Sequence, residues 1–305
     1  MSAVAKIAIL GPNGLIGKDL IAIFKKNRAF SIYPVSQSHN NYNETNLYFD
    51  SFLNVSFDAI INCSGMGDPE QIRLDPEGCV QSHLSSRKLV MDYLEINDHL
   101  NPLCLFISSG GIFNQGITST QSEKENICFG IENLKAFDAY RLTKVLIECL
   151  NREQRKRRLI DVRVFGYVSA NYSKRSAFFI SKVFQCAKNN CIFYTDETNF
   201  LRDYVTAQDI FILFNHLFQN ESTKINRAIN LISRKPVSKF EILEFFKHKY
   251  GFEYCMVGAK EQPSSGVEGI CDREFCFDGL STFVGESDSI TNISEKFNEF
   301  QRGAG

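Results

Sequence analysis

Lys6-Ile7-Ala8-Ile9-Leu10-Gly11-Pro12-Asn13-Gly14-Leu15-Ile16-Gly17 is the stretch on which the fold turns. A short apolar run ends at a glycine, and Leu15–Lys26 then carries Leu20, Ile21, Ile23 and Phe24 with helical period. The glycines follow G-x-x-G-x-x-G. Gly11 permits a tight turn off the strand, Gly14 lets backbone approach a pyrophosphate with no Cβ in the way, and Gly17 lets the helix pack closely on the strand. The helix N-terminus presents free N–H groups to an anion, so Gly11, Asn13, Gly14, Leu15, Ile16 and Gly17 are candidate cofactor-binding residues. In a strand–turn–helix at the start of an α/β chain, this triplet is a far stronger signal than three glycines alone.

Further apolar runs of strand length follow at Ile32–Val35, Ala59–Cys63, Leu103–Ile107 and Asp161–Phe165. Between them, Cys79–Leu94 and Glu132–Arg158 read as helices. Continuous apolar strands separated by helices predict an α/β Rossmann-type, doubly wound parallel sheet covered on both faces. The second half is less regular. Phe178–Lys188, Gln208–Gln219 and Ser238–Lys249 look helical, Ala228–Ile232 reads as a strand, and Met256–Asp288 has a weak pattern that suits the wall of a substrate pocket. The expected division is a dinucleotide-binding domain over 1–165 and a smaller C-terminal substrate-binding region over 166–305, with some strands returning to the main sheet.

At 305 residues, 44% hydrophobic and 23% charged, the chain can bury a sizeable core. Thirty-four basic against 35 acidic residues leave a net charge of −1, which argues against nucleic acid or an anionic membrane surface as the main partner. No apolar run approaches the ~18–20 residues of a membrane span, and the first residues lack a signal-peptide pattern, so a cytoplasmic protein is expected. The ten cysteines show no C-x-x-C spacing and read as buried small hydrophobes in a reducing compartment, with no metal site. The basic cluster Arg152–Arg158 reads as solvated charge complementing a helix dipole.

The second strand is followed by Ser36-Gln37-Ser38-His39, with no carboxylate for a free ribose. Ser36 and Gln37 suit a ribose hydroxyl, Ser36 and His39 a 2′-phosphate, so both NAD and NADP stay open. Asp50 is placed to accept from an adenine amino group. Within the long helix, Tyr140 and Lys144 are separated by four residues and share one face. A tyrosine of pKa ~10 is a poor base at neutral pH. An ammonium ~4–5 Å away at an effective dielectric of ~20 would favour the phenolate by about 3–4 kcal/mol, or roughly 2–3 pKa units. Leu103–Ile107 runs into Ser108-Ser109, and a hydroxyl at that strand end would face a ligand at the carboxyl edge of the sheet. Ser109 is the first choice for it and Ser108 the second.

In order, these pieces resemble the extended branch of the short-chain dehydrogenase/reductase superfamily, which includes the NAD-dependent epimerase/dehydratase family of nucleotide-sugar enzymes. Gly11–Gly17 looks like its cofactor turn. Ile61-Asn62-Cys63-Ser64-Gly65 resembles its fourth strand, whose small-residue turn lines the cofactor. Ser109, Tyr140 and Lys144 match its catalytic triad, in which the lysine also holds the nicotinamide ribose. Arg163-Val164-Phe165-Gly166 looks like its sixth-strand motif, which implies a cofactor contact for Tyr167. Arg202-Asp203-Tyr204-Val205 through Asp209-Ile210 is similar to its R-D-[FY]-[VI]-x-x-x-D-[VI] segment, which implies that Arg202 contacts a substrate diphosphate.

The chain departs from the family pattern at several points. Gly166 stands where asparagine is usual, and His83 sits near a helix position that is often asparagine. A one-residue shift in the turn after Leu103–Ile107 would put Ile112 in the hydroxyl position. The Thr-Asp-Glu signature of sugar dehydratases is absent, which argues against elimination. The resemblance implies an NAD(P)-dependent nucleotide-sugar epimerase or keto-sugar reductase, dimeric through the helices Cys79–Leu94 and Glu132–Leu150. The alternative is a non-catalytic dinucleotide sensor of the same fold, although such relatives tend to lose the tyrosine or the lysine.

Overall fold

The computed structural model describes residues 4–36, 47–113, 132, 134–220, 225–257 and 282–303. The first half alternates as read: β1 (Ala5–Leu10), α1 (Leu15–Phe24), β2 (Phe30–Ser36), β3 (Leu47–Tyr48), α2 (Phe49–Phe52), β4 (Ala59–Asn62), α3 (Pro69–Leu74), α4 (Pro76–Ile96), β5 (Leu103–Ser109), α5 (Ala136–Arg152) and β6 (Leu159–Val164). The second half adds α6 (Phe179–Asn189), β7 (Phe193–Thr195), β8 (Leu201–Arg202), α7 (Ala207–Gln219), β9 (Asn226–Ile232), β10 (Val237–Ser238), α8 (Lys239–Tyr250), β11 (Tyr254–Met256), β12 (Thr282–Val284) and α9 (Ser289–Arg302).

The main sheet runs β12-β9-β6-β5-β4-β1-β2-β3, and every pairing in it is parallel. β1 lies between β2 and β4, so the chain reverses its direction of travel at the carboxyl end of β1. Crevices that bind ligands form at such a point. The apolar strand runs are continuous because both faces are covered. Ile7 and Ile9 pack with Leu20 and Phe24 of α1 and Phe214 of α7 on one face. Ala8 and Leu10 pack with Val90, Tyr93 and Leu94 of α4 on the other. β9 and β12, from the second half, extend this sheet.

A second core lies among α6, α8 and α9 and is dense in aromatic rings. Phe184, Phe246 and Phe297 are fully buried there. Phe246 sits 5.0 Å from Phe297, 5.2 Å from Tyr250 and 5.9 Å from Phe184, centroid to centroid.

The long helix is shorter than its sequence pattern at both ends. Asp138 accepts from the backbone N–H of Lys135 at 2.8 Å and starts α5 there, and the helix stops at Arg152. The basic cluster therefore mostly follows the helix instead of ending it, and it is not all solvated. Arg152 pairs with the fully buried Asp161, and Arg157 meets Asp98 at 2.5 Å. Seven described cysteines are free thiols. Cys79 and Cys104 are buried, while Cys149, Cys191 and Cys255 are exposed, contrary to the reading of the set as core residues. Cys128, Cys271 and Cys276 lie outside the described residues. Among the described residues no group of acidic, histidine or cysteine side chains could hold a metal, and no helix is long and apolar enough to cross a membrane.

Phe246→Ala removes a fully buried ring that packs on Phe184, Tyr250, Phe252 and Phe297. It is expected to lower unfolding free energy by about 3–5 kcal/mol in urea titrations, whereas Leu74→Ala, at a 69% exposed site, should change it by less than ~0.5 kcal/mol.

Candidate active site

The floor of the main cleft is the turn from β1 to α1. Gly11 has φ +77°, and a Cβ there would lie 2.9 Å from the Ser64 backbone; a Cβ on Gly17 would lie 2.1 Å from the Gly11 carbonyl. Both positions need glycine for protein reasons alone. Gly14 does not: its φ is −71°, and a Cβ would meet only the Gly11 carbonyl, at 3.4 Å. Its missing side chain leaves room for something other than protein. Gly14 is also the N-cap of α1, and no side chain caps that helix or places a carboxylate in its first turn. Asp68, Ser238 and Asp288 cap α3, α8 and α9. Free N–H groups beside open space are what a diphosphate requires, so this turn fits one.

The second wall leaves β4. The Asn62 carboxamide accepts from the Ser64 backbone N–H at 3.0 Å and turns the chain through Cys63-Ser64-Gly65. Gly65 has φ +121°, and a Cβ on it would strike the His83 ring at 2.0 Å. Burial pushes the Cys63 thiol up to about 12, so it is an inert wall and not a nucleophile. The cleft encloses about 540 Å³, and Asn13, Gly14, Leu15, Ile16, Cys63, Gly65, Ser109, Tyr140, Tyr167 and Arg202 all line it. That volume is in the ~300–1,000 Å³ range of small-molecule sites.

β5 ends in two serines with different partners. Ser108 is buried and donates to Glu148 Oε1 at 2.6 Å, and Arg163 holds the same carboxylate. Ser109 lies beside the Tyr140 phenol, whose pKa it lowers, and accepts from the Gly111 N–H at 3.0 Å. Ser109 is thus the hydroxyl beside Tyr140. Ile112 is fully buried, so the shifted register does not bring it to the cleft. The buried Arg141 fixes this turn by donating to the carbonyls of Gly111 and Phe113 at 2.6 and 3.1 Å, a role with no signal in the sequence.

Tyr140 and Lys144 share a face of α5, with Nζ 5.5 Å from the phenol ring centroid. The electrostatics differ from the simple expectation. Burial pushes Tyr140 up to about 12, offset in part by Ser109. Nζ donates to the Ile107 carbonyl at 2.7 Å and lies 3.3 Å from His83 Nδ1, so a strand carbonyl and an imidazole hold the ammonium. Burial in turn depresses Lys144 from 10.5 to about 8, with Asp161 the largest group opposing the fall.

Other candidates fall around this centre. Lys144 and Ser64 line a small polar cavity behind the main cleft. Tyr167 donates to Asp19 of α1 at 2.6 Å. Ser36 is buried at the end of β2, with its hydroxyl 3.5 Å from the Asn13 carboxamide nitrogen. Arg202 also lines the cleft, its guanidinium 4.6 Å from the Phe200 ring centroid. Asp50 is on α2, but its side chain lies outside the described residues, as do Gln37, Ser38, His39 and 258–281. Gly166 is dictated by packing, since a Cβ would lie 2.1 Å from the Asp203 carbonyl. Phe113, Phe137, Phe165, Phe178 and Phe179 also line the cleft, and nothing in their spacing marked them.

A family model described as the NAD dependent epimerase/dehydratase family matches residues 7–231. No curated protein matches significantly. Among solved structures, UDP-glucose-4-epimerase from Stenotrophomonas maltophila, with bound NAD and formylated UDP-arabinopyranose, superposes with a TM-score of 0.75 at 14% identity, covering 98% of each chain. RMD from Pseudomonas aeruginosa, complexed with NADPH, gives 0.72 at 16% identity over 98% of each chain. Helicobacter pylori ADP-L-glycero-D-manno-heptose-6-epimerase gives 0.72 at 13% identity over 97% of this chain and 96% of that one. At these identities the likeness is one of fold.

The buried lysine should be visible in stability. Below pH 8 the ammonium is charged in folded and unfolded chains alike, and the folded state carries the full desolvation penalty. Between 8 and 10.5 the folded chain has released the proton, and the penalty fades. Lys144→Met is therefore expected to stabilise by up to about 3 kcal/mol at pH 7, with the gain shrinking toward pH 10.5. Denaturant midpoints of both proteins across that range measure it, and a gain that grows with pH would contradict the assignment.

Proposed function

Since the chain belongs to the NAD-dependent epimerase/dehydratase family, we propose that it binds NAD or NADP along the carboxyl edge of the sheet and acts on a nucleotide-activated sugar, as an epimerase or a keto-sugar reductase. The observation that carries this reading is that Ser109, Tyr140 and the uncapped N-terminus of α1 line one cleft. The cofactor turn of Gly11, Asn13, Gly14, Leu15, Ile16 and Gly17 takes the diphosphate. Cys63, Ser64 and Gly65 wall the ligand on the β4 side, and Ser36, Asp50 and Tyr167 complete its binding. The Stenotrophomonas epimerase holds NAD and the Pseudomonas protein NADPH, and either cofactor suits a second strand that ends without a carboxylate.

The nicotinamide, when bound, supplies the two-electron acceptor and donor. Tyr140 takes or returns the proton of the sugar hydroxyl that becomes a carbonyl. Ser109 holds that oxygen and, beside the phenol, lowers the energy needed to ionise Tyr140. Lys144 steadies the phenolate and binds the ribose. Arg202 meets the substrate diphosphate. Leu142, Leu146 and Leu150 form an exposed row along α5, 36–46% accessible, and we assign them to a two-fold contact between copies.

Tyr140→Phe should lower kcat by about 10²–10⁴-fold or more in a screen of nucleotide sugars, with NAD or NADP affinity by calorimetry retained. Ser109→Ala should lower kcat ~10²-fold, whereas Ser108→Ala should mainly reduce stability, by ~1–3 kcal/mol, because it leaves Glu148 one donor short. Full activity of Tyr140→Phe removes the acid–base assignment. Tight cofactor binding with no turnover of any sugar would favour a sensor.

A further inference from the structure

We infer that His83 is a positioning residue for Lys144: its imidazole is anchored to the Met66 carbonyl and accepts a hydrogen bond from the lysine amine, which fixes that amine beneath Tyr140. The inference rests on the reading of Tyr140 and Lys144 as the acid–base pair and extends it to a third side chain, reached from α4. His83 is 4% exposed. Its Nε2 lies 3.0 Å from the Met66 carbonyl, its Nδ1 3.3 Å from Lys144 Nζ, and its ring centroid 5.5 Å from that of Tyr140. A carbonyl only accepts, so Nε2 carries the proton and Nδ1 offers its lone pair to the amine. The Ile107 carbonyl takes a second N–H of Lys144 at 2.7 Å. With two directions of a tetrahedral ammonium fixed, the third is fixed as well.

Burial and the Lys144 charge keep the imidazole neutral against the pull of the carbonyls it faces. Lys144 and Tyr140 face it from α5, Ser64 and Met66 carbonyls from the β4 turn, and the Cys79 thiol sits one turn away on α4. Burial raises the thiols of Cys63 and Cys79, so neither supplies a negative charge to draw a proton onto the ring. Asp161 and Glu148 act on Lys144 from its other side and favour the ammonium there. Burial and the lysine charge together press His83 down to about 3, which leaves it an acceptor throughout the physiological range. The ring also has its own space, because Gly65 lacks a Cβ that would overlap it.

The test uses the full chain without cofactor, so it stands apart from the search for a substrate. In protein labelled with 13C and 15N at histidine, His83 should show the Nε2–H tautomer and stay unprotonated down to about pH 5. The Lys144 13Cε resonance, followed with pH, should titrate near 8 in the wild type. His83→Asn places an amide oxygen near the Nδ1 position and should hold that midpoint within about 0.3 units, while His83→Leu should lower it by about one unit. With substrate in hand, His83→Leu should lower kcat about tenfold or more with KM changed less than about twofold, and His83→Asn should restore most of it. A Lys144 midpoint in His83→Leu equal to the wild type, or an Nδ1–H tautomer, overturns the inference. If His83→Leu does not fold, the wild-type tautomer and His83→Asn still decide. A chain with no turnover at all would undo the enzymatic reading and leave these resonances to answer for His83 alone.

Discussion

The contact on which the site depends is the hydrogen bond from the Lys144 ammonium to the Ile107 carbonyl. It joins the middle of α5 to the last turn of the central strand, and so carries Tyr140 to the rim of the sheet beside Ser109. A charge does not enter a protein interior without partners. Here it is received by a strand carbonyl and an imidazole, with Glu148, Asp161, Arg163 and Arg152 forming a paired charge network nearby. The consequence for α5 is an unusual distribution of polarity. Its buried residues are Arg141, Thr143, Lys144, Glu148 and Asn151 with the single aliphatic Ile147, while Leu142, Leu146 and Leu150 look outward. Polar groups that cannot be satisfied by water are satisfied by the sheet edge, and three leucines are left to the surface.

The legible parts of the sequence were those set by local sterics. The β1–α1 turn could be read because Gly11 needs a positive φ and Gly17 a close backbone approach, requirements that leave a mark at a single position. The strands could be read because a parallel strand covered on both faces is apolar throughout. The ends of α5 could not. The basic run after Arg152 continues a helical composition, and only the long-range pairing of Arg152 with Asp161 and Arg157 with Asp98 shows where the chain turns.

In the site, the pairing of Tyr140 with Lys144 on one helix face followed from their spacing. The sign of the tyrosine's pKa shift did not. That sign is set by burial, which the long-range packing around the helix decides; the amine's own partners, Ile107 and His83, lie 37 and 61 residues away in the chain. Ser109 was preferred to Ser108, but the reason that separates them was not in the sequence: strand alternation sends neighbours to opposite faces, and Glu148 holds Ser108. The aromatic residues of the cleft were hidden for a different reason, since phenylalanine in a core and phenylalanine in a pocket share the same local pattern.

Gly65 and His83 occupy a single volume between them. Any side chain at the first position and the imidazole at the second are mutually exclusive, although 18 residues separate them in the chain. A lineage that gave up this histidine would be released to accept alanine or serine at 65 only so far as that residue's positive φ allows. A lineage already carrying a side chain there could not acquire the histidine in one step. The two sites form an evolutionary ratchet whose teeth are a missing methyl and a five-membered ring.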